Sequence, residues 1–173
     1  MTDLIEVPPE RPHSGPARLI DRLIRLCAIL PYSAVALLLR VVIARAFFSA
    51  GQEMAAGPAF ALAGHEVLLP LPLREEALRS YEAAFASVNI PPALIAYAAG
   101  LCEFVLPVLL VLGLATRFAA LVLVLLTIML GHFIAPGSFW PLHAYWYAIL
   151  LVLLSCGAGT VSADFLIRRL YER

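Results

Sequence analysis

The sequence predicts an all-α protein: a four-helix transmembrane bundle with an N-terminal interfacial helix and an amphipathic helix in its first extracytoplasmic loop. Of its 173 residues, 62% are hydrophobic and 14% are charged, whereas soluble domains average about 45–50% and about 25%. The apolar residues gather in four blocks that approach or reach bilayer-spanning length. The 12 basic residues, all arginine, balance 12 acidic ones, so no basic field suggests a nucleic-acid partner. This composition excludes a disordered chain, a disulfide-rich secreted scaffold and an ordinary soluble enzyme.

The N-terminal residues 1–17 are predicted to form a disordered polar tail. They hold four prolines and three carboxylates, and they lack the basic start and apolar run of a signal peptide. An interfacial helix should follow, because Arg18, Asp21, Arg22 and Arg25 recur at helical spacing opposite an apolar side. That pattern is typical of a helix lying on a membrane with its arginines toward lipid phosphates.

Four apolar blocks are predicted as membrane spans, at about residues 32–50, 93–112, 118–135 and 142–155. The first would extend about 28 Å at ~1.5 Å per helical residue, close to the ~30 Å hydrocarbon core of a bilayer. The connection at 113–117 is so short that the second and third spans must be antiparallel neighbours.

Segment 51–92 is the longest connection, and we predict an amphipathic helix within it. In the stretch LREEALRSYEAAFASV, side chains such as Leu73, Tyr81 and Phe85 fall on one face at helical spacing, with most charges opposite. We expect this helix to rest on the bundle or on the lipid headgroups.

The arginines predict the orientation of a transmembrane domain that spans residues 18–168 and is followed by a basic tail at 169–173. An even number of spans places both termini on one side of the bilayer. The N-terminal segment holds four arginines, the 113–117 turn one and the residues after the fourth span three (Arg168, Arg169 and Arg173), against two in the long loop. By the positive-inside rule, both termini are expected to be cytoplasmic in a bacterial-type inner membrane.

Three charged residues, Arg40, Arg45 and Glu103, lie inside predicted spans, where charges are costly and usually pair or face a polar interior. Arg40 lies about 12 Å along the first span and Glu103 about 15 Å along the second, at ~1.5 Å per residue. We therefore predict a buried ion pair between them near mid-membrane. The pair could be purely structural, or it could form the floor of a cavity for a quinone, a proton or a small polar ligand.

A second polar group is predicted near the outer face. Glu53 ends the first span, His132 lies near the end of the third and His143 begins the fourth; His65, Glu66 and Arg45 could join them. Imidazole and carboxylate groups can bind zinc or copper, or relay protons. The alternative is that these are ordinary polar residues at the membrane interface.

The stretch AYAAGLCEFVLPVLLVLGLATRFAALVLVL (96–125) resembles the DoxX family of small four-helix membrane proteins. LLLRVVIARAFFSAG (37–51) and GAGTVSADF (157–165) are similar to the family's first span and ending. The resemblance implies a four-helix bundle with a loose link to redox biology. The polar or turn positions that it singles out are Arg40, Glu103, Gly113, Thr116, Arg117 and Asp164.

Three functional hypotheses follow. The first is a redox-linked membrane subunit, associated with a quinone or with sulfur or thiol chemistry, and part of a quinone-linked oxidoreductase. The second is a non-catalytic scaffold that docks a soluble redox or metal-handling protein on its arginine-rich cytoplasmic surface. The third is a small metal or proton transporter. Quinone is the one cofactor suggested, and the sequence is compatible with a homo-oligomer.

Overall fold

A computed structural model describes residues 31–62 and 64–171, with the side chains in those ranges except that of Pro141. The predicted N-terminal tail and the interfacial helix beginning at Arg18 lie outside the described residues.

Six α-helices and one hairpin form the described chain. They are α1 (Tyr32–Met54), β1 (Ala59–Leu62), β2 (His65–Leu68), α2 (Glu75–Ala84), α3 (Pro92–Leu112), α4 (Thr116–Phe133), α5 (Ala144–Cys156) and α6 (Ala163–Tyr171), and a π-helical turn (Phe139–His143) leads into α5. The four apolar blocks of the sequence correspond to α1, α3, α4 and α5.

Three of these helices, α1, α3 and α4, are long and apolar enough to cross a membrane. The fourth apolar helix, α5, has only 13 residues. Helix length therefore establishes three candidate spans rather than the predicted four.

The core lies where α1, α3, α4 and α5 pack together, and small residues bring their backbones close. Gly51 on α1 faces α3 so tightly that an added Cβ would lie 3.0 Å from the Cβ of Glu103. Ala119 and Ala120 are completely buried on α4. Small residues at helix contacts are typical of membrane bundles, where packing rather than hydrophobicity drives association.

The connection between α1 and α3 contains the predicted amphipathic helix, α2, and also a hairpin that was not predicted. Strands β1 and β2 pair antiparallel and add a small hairpin to an otherwise helical fold. The amide of Gln52, in the last turn of α1, donates to Leu68 O at 2.9 Å and accepts from Leu68 N at 2.7 Å. This two-way contact holds the hairpin against the end of α1. Each strand has only four residues. This is too short for the alternation of apolar and polar residues that would have predicted a strand from the sequence.

The chain beyond α5 ends in a helix that was not predicted. Gly157 terminates α5 with a φ of +81°. After this turn α6 begins, and none of its residues is buried. The arginines of this segment led to the prediction of a polar tail, whereas the segment forms a short amphipathic helix.

Candidate functional site

Arg40 is completely buried, and its guanidinium binds backbone carbonyls. Its Nη1 donates to Leu110 O at 3.5 Å, and its Nη2 donates to Val161 O at 2.5 Å. Leu110 lies in the last turn of α3, where carbonyls lack helical partners and carry the negative end of the helix dipole. Arg40 therefore acts as a buried cap that joins α1, the end of α3 and the chain before α6.

The predicted ion pair between Arg40 and Glu103 does not form. Arg40 donates a hydrogen bond to Leu110, near the end of α3. A different residue of α1, Gly51, faces Glu103. Residues 40 and 51 are separated by about 16 Å along α1, and residues 103 and 110 by about 10 Å along α3, at ~1.5 Å per residue. From the sequence, Arg40 and Glu103 were placed at the same depth because each was measured from the start of its own helix. The two helices are offset along their axes, since α1 begins beyond the end of α3, and the two residues therefore lie at different depths.

The turn between α3 and α4 is closed by Asp164, at the start of α6. Its carboxylate accepts hydrogen bonds from Ala115 N at 2.7 Å and Thr116 N at 3.0 Å, and its own N–H donates to Gly113 O at 2.9 Å. A carboxylate on free N–H groups at a helix N-terminus is a favourable cap. Ala115 is the N-cap residue of α4, and the Thr116 hydroxyl is buried without a partner.

Gly113 and Arg117 complete this end of the bundle. Gly113 has a φ of +70°, and a Cβ there would collide with Nη1 of Arg40 and lie 2.6 Å from the Cβ of Ser162. Only glycine satisfies both the left-handed backbone and the space. The Nη2 of Arg117 donates to Ser155 O at 3.1 Å, linking the start of α4 to the last turn of α5. The family-like turn residues thus close one end of the helix bundle.

Glu103 lies in a different place, a pocket of about 340 Å³ between α1, α2, α3 and α4. Its lining residues are Ala50, Glu53, Met54, Arg74, Glu76, Ala77, Ser80, Tyr81, Glu103, Leu130 and Ile134. Glu103 is 2% exposed, and its Oε2 is buried without a hydrogen-bond partner. Buried polar atoms are almost always satisfied in proteins, so such an atom marks a group available to a ligand or water.

Tyr81 presents a second unpartnered group to the same pocket. It is 2% exposed, and its hydroxyl is buried without a partner. The ring stacks on Phe85 at 5.7 Å, and Phe85 packs on Phe133 of α4 at 4.5 Å, so α2 is held against the bundle. Burial, with a smaller contribution from the charge of Glu103, raises the pKa of Tyr81 above its usual value. The phenol therefore remains a neutral hydrogen-bond donor.

The pocket combines three carboxyl groups, a phenol, a guanidinium and a serine hydroxyl with apolar side chains, which are those of Ala50, Met54, Ala77, Leu130 and Ile134. Arg74 lines it while its Nε donates to Ala55 O at 2.9 Å, and Glu53 lines it from the exposed end of α1. A carboxyl group can donate or accept a proton, whereas the phenol can donate a hydrogen bond to a carbonyl. This arrangement can bind and orient a small molecule that carries acceptor oxygens.

The predicted metal group is not assembled. Across residues 31–62 and 64–171, no three His, Cys, Asp or Glu side chains lie close enough to hold a metal ion. His132 is exposed beside Phe133, whereas His143 is buried against Gly131 and Trp146. Glu53 belongs to the Glu103 pocket instead. Although His132 follows Gly131 directly, it lies on another face of α4, so the two histidines do not converge.

Tyr81 was not predicted as a site residue, because it falls on the apolar face of α2, where a side chain is expected to serve packing. The available signal was its hydroxyl, since a buried tyrosine usually needs a polar partner. Asp164 was noted as family-like, but its capping contact joins residues 48 and 49 positions apart, and no local pattern reveals that.

The comparisons with known proteins agree with this architecture. A family model described as DoxX matches residues 35–136, more than half of the chain. The matched range holds Arg40, Glu103, Gly113, Thr116 and Arg117, as the sequence resemblance implied. No curated protein and no solved structure gives a significant match. With the apolar candidate spans and the matched range together, the chain belongs to the DoxX family of membrane proteins.

Proposed function

We propose that this protein is a redox-linked membrane subunit that binds a quinone headgroup in the pocket formed by Glu103 and Tyr81. The observation that carries the proposal is that two buried polar groups without partners, one on α2 and one on α3, line the same pocket of about 340 Å³. Pockets for small ligands typically measure about 300–1,000 Å³ and combine apolar walls with a few convergent polar groups.

The residues fit the chemistry of a quinone. A quinone ring presents two carbonyl acceptors on an apolar body, and the Tyr81 hydroxyl is a neutral donor. Glu103 supplies a second donor when its carboxyl group is protonated. Leu130 and Ile134 provide apolar wall from α4. A bound quinone would supply two-electron, two-proton redox chemistry, which no side chain of the pocket provides.

In that chemistry, the protein would hold the quinone ring and transfer protons to and from it. Tyr81 orients one carbonyl by donating a hydrogen bond, and it keeps its own proton because burial raises its pKa. Glu103 exchanges a proton with the ligand oxygen, as a positioned carboxyl group can do. Glu53, at the exposed end of α1, lines the same pocket and can pass protons between Glu103 and water. The electrons that reduce or oxidise the bound quinone would be exchanged with an associated redox protein.

The same proposal takes α5 as the fourth span. The five residues of the π-helical turn continue directly into the 13 of α5, and together they reach the lower end of the ~17–25 residues that a span needs. Both termini would then be cytoplasmic in a bacterial-type inner membrane, in accordance with the arginine distribution. Reporter fusions at Arg173 and in the hairpin should report opposite sides; identical signals would contradict this topology.

Equilibrium binding of a radiolabelled short-tailed ubiquinone to the full-length protein in mild detergent tests the proposed site. We expect saturable binding at one site per chain. Tyr81→Phe and Glu103→Leu should each weaken it about tenfold, the effect of losing one buried hydrogen bond of ~1–1.5 kcal/mol.

Two variants serve as matched controls. Tyr97→Phe removes a phenol outside the pocket, and Glu82→Gln removes an exposed carboxylate of α2, so neither should change the affinity. Binding that does not saturate, or equal affinities in pocket and control variants, would contradict the proposal.

A further inference from the structure

Helix α6 exposes an apolar face that no part of the described bundle covers. Leu166, Ile167, Leu170 and Tyr171 are between 43% and 89% exposed. Their spacing of three and four residues places them on one side of the helix, whereas Arg168 lies on the opposite side and Asp164 at the boundary. Nine residues of this pattern, with an apolar face that stays largely exposed, indicate a helix that lies in a membrane interface.

The position of α6 in the fold also indicates that this helix lies in the membrane interface. Its first turn is fixed by Asp164 to the amides at the start of α4, so α6 begins at the level where the α3–α4 turn leaves the bundle. Leu166 lines a surface depression together with Leu37 of α1 and Val111 and Leu112 of α3, all on the apolar outer side of the bundle. The apolar face of α6 is therefore continuous with the surface that meets lipid tails.

A polar pocket opens beside this helix. It has a volume of about 460 Å³ and is lined by Arg117, Arg168, the 157–159 backbone, Ser162 and Asp164. Arg117 donates from Nη2 to the Ser155 carbonyl, one of the five hydrogen bonds that a guanidinium can donate. Two guanidinium groups line the pocket against one carboxylate, that of Asp164, which already accepts two backbone N–H groups. This balance favours an anion, and phosphate is the anion found at this depth of a bilayer.

We propose that α6 and the α5–α6 turn form a binding site for an anionic phospholipid. The apolar face of α6 sits in the boundary between headgroups and acyl chains, and this places the pocket at the level of the phosphates. Arg117 and Arg168 then bind the phosphate of a lipid such as phosphatidylglycerol. This site is separate from the Glu103 pocket and does not depend on its function.

The test is a titration of the full-length protein in detergent with phosphatidylglycerol and, separately, with phosphatidylcholine, followed by native mass spectrometry. We expect tighter binding of phosphatidylglycerol. Arg117→Gln and Arg168→Gln should each weaken it about fivefold, since one arginine near anionic lipid contributes about that factor. Phosphatidylcholine binding should stay unchanged, and Arg168→Lys should retain most of the preference.

Arg79→Gln is the matched control, because Arg79 is an exposed arginine on α2 and should have no effect. If Arg117→Gln fails to fold, Arg168→Gln still decides, since α6 has no buried residue. Equal binding of the two lipids, loss of binding on addition of inorganic phosphate at equimolar concentration, or an effect of Arg168→Gln no larger than that of Arg79→Gln would overturn the proposal.

Discussion

Replacing Asp164 with alanine should lower the stability of the protein by removing the cap of α4. The substitution deletes two hydrogen bonds, to Ala115 N at 2.7 Å and Thr116 N at 3.0 Å. Loss of an N-cap side chain typically costs about 0.5–2 kcal/mol, and the favourable interaction of the carboxylate with the helix dipole, about 0.3–1 kcal/mol, is lost with it. Because Asp164 is half-buried, water replaces part of these contacts, so we expect about 1.5 kcal/mol.

Thermal unfolding in mild detergent measures this effect. At about 2–4 °C per kcal/mol for a chain of this size, Asp164→Ala should lower Tm by about 3–6 °C. Asp164→Asn keeps an acceptor but loses the charge, and it should lower Tm about half as far. Hydrogen exchange should also quicken at the amides of Ala115 and Thr116. Glu82→Ala removes an exposed carboxylate and serves as the control; if it matched Asp164→Ala in Tm and in exchange, the capping argument would be refuted.

Two further predictions concern the same end of the bundle and its distance from the pocket. Gly113→Ala should destabilise the protein by about 3 kcal/mol or more, because it strains a φ of +70° and places a Cβ on Arg40. Gly137→Ala, with open space around its position, should change Tm by less than about 2 °C; similar melting of the two variants would contradict the packing. Arg40→Met and Glu103→Gln should have additive effects on the free energy of unfolding, within about 0.5 kcal/mol. A coupling energy above about 1 kcal/mol between the two substitutions would indicate that Arg40 and Glu103 form an ion pair after all.

Hydropathy predicted where the long helices lie, because the hydrophobic length of a span is a local property of the sequence. The stop at Gly157 and the helix of residues 75–84 were also predictable, since a glycine terminator and a helical spacing need only neighbouring residues. The hairpin was not, because each strand has four residues and it is held by a glutamine, Gln52, that looks like an ordinary polar end of a helix.

The functional geometry depends on how the helices are offset along their axes, and no local pattern contains that offset. Arg40 was expected at mid-membrane and instead caps the end of α3, where its guanidinium donates to the carbonyls of Leu110 and Val161. Glu103 was correctly singled out as a charge inside a span, but its neighbours come from α2, which approaches through tertiary contacts of Phe85 and Tyr81. The likeness to the DoxX family singled out Arg40, Gly113, Arg117 and Asp164 among its positions, and the structure shows which contacts these residues make.

The central claim is that the Glu103–Tyr81 pocket holds a quinone headgroup, and photolabelling with an azido-quinone tests it most directly. After irradiation of the full-length protein in detergent or vesicles, mass spectrometry locates the labelled peptides. We expect label on α2 near Tyr81 and on α3 near Glu103, displaced by excess unlabelled ubiquinone and lost in Glu103→Leu. The contradicting result is label that stays in Glu103→Leu, or label confined to the apolar groove between α1 and α3 that Phe48 and Val108 line.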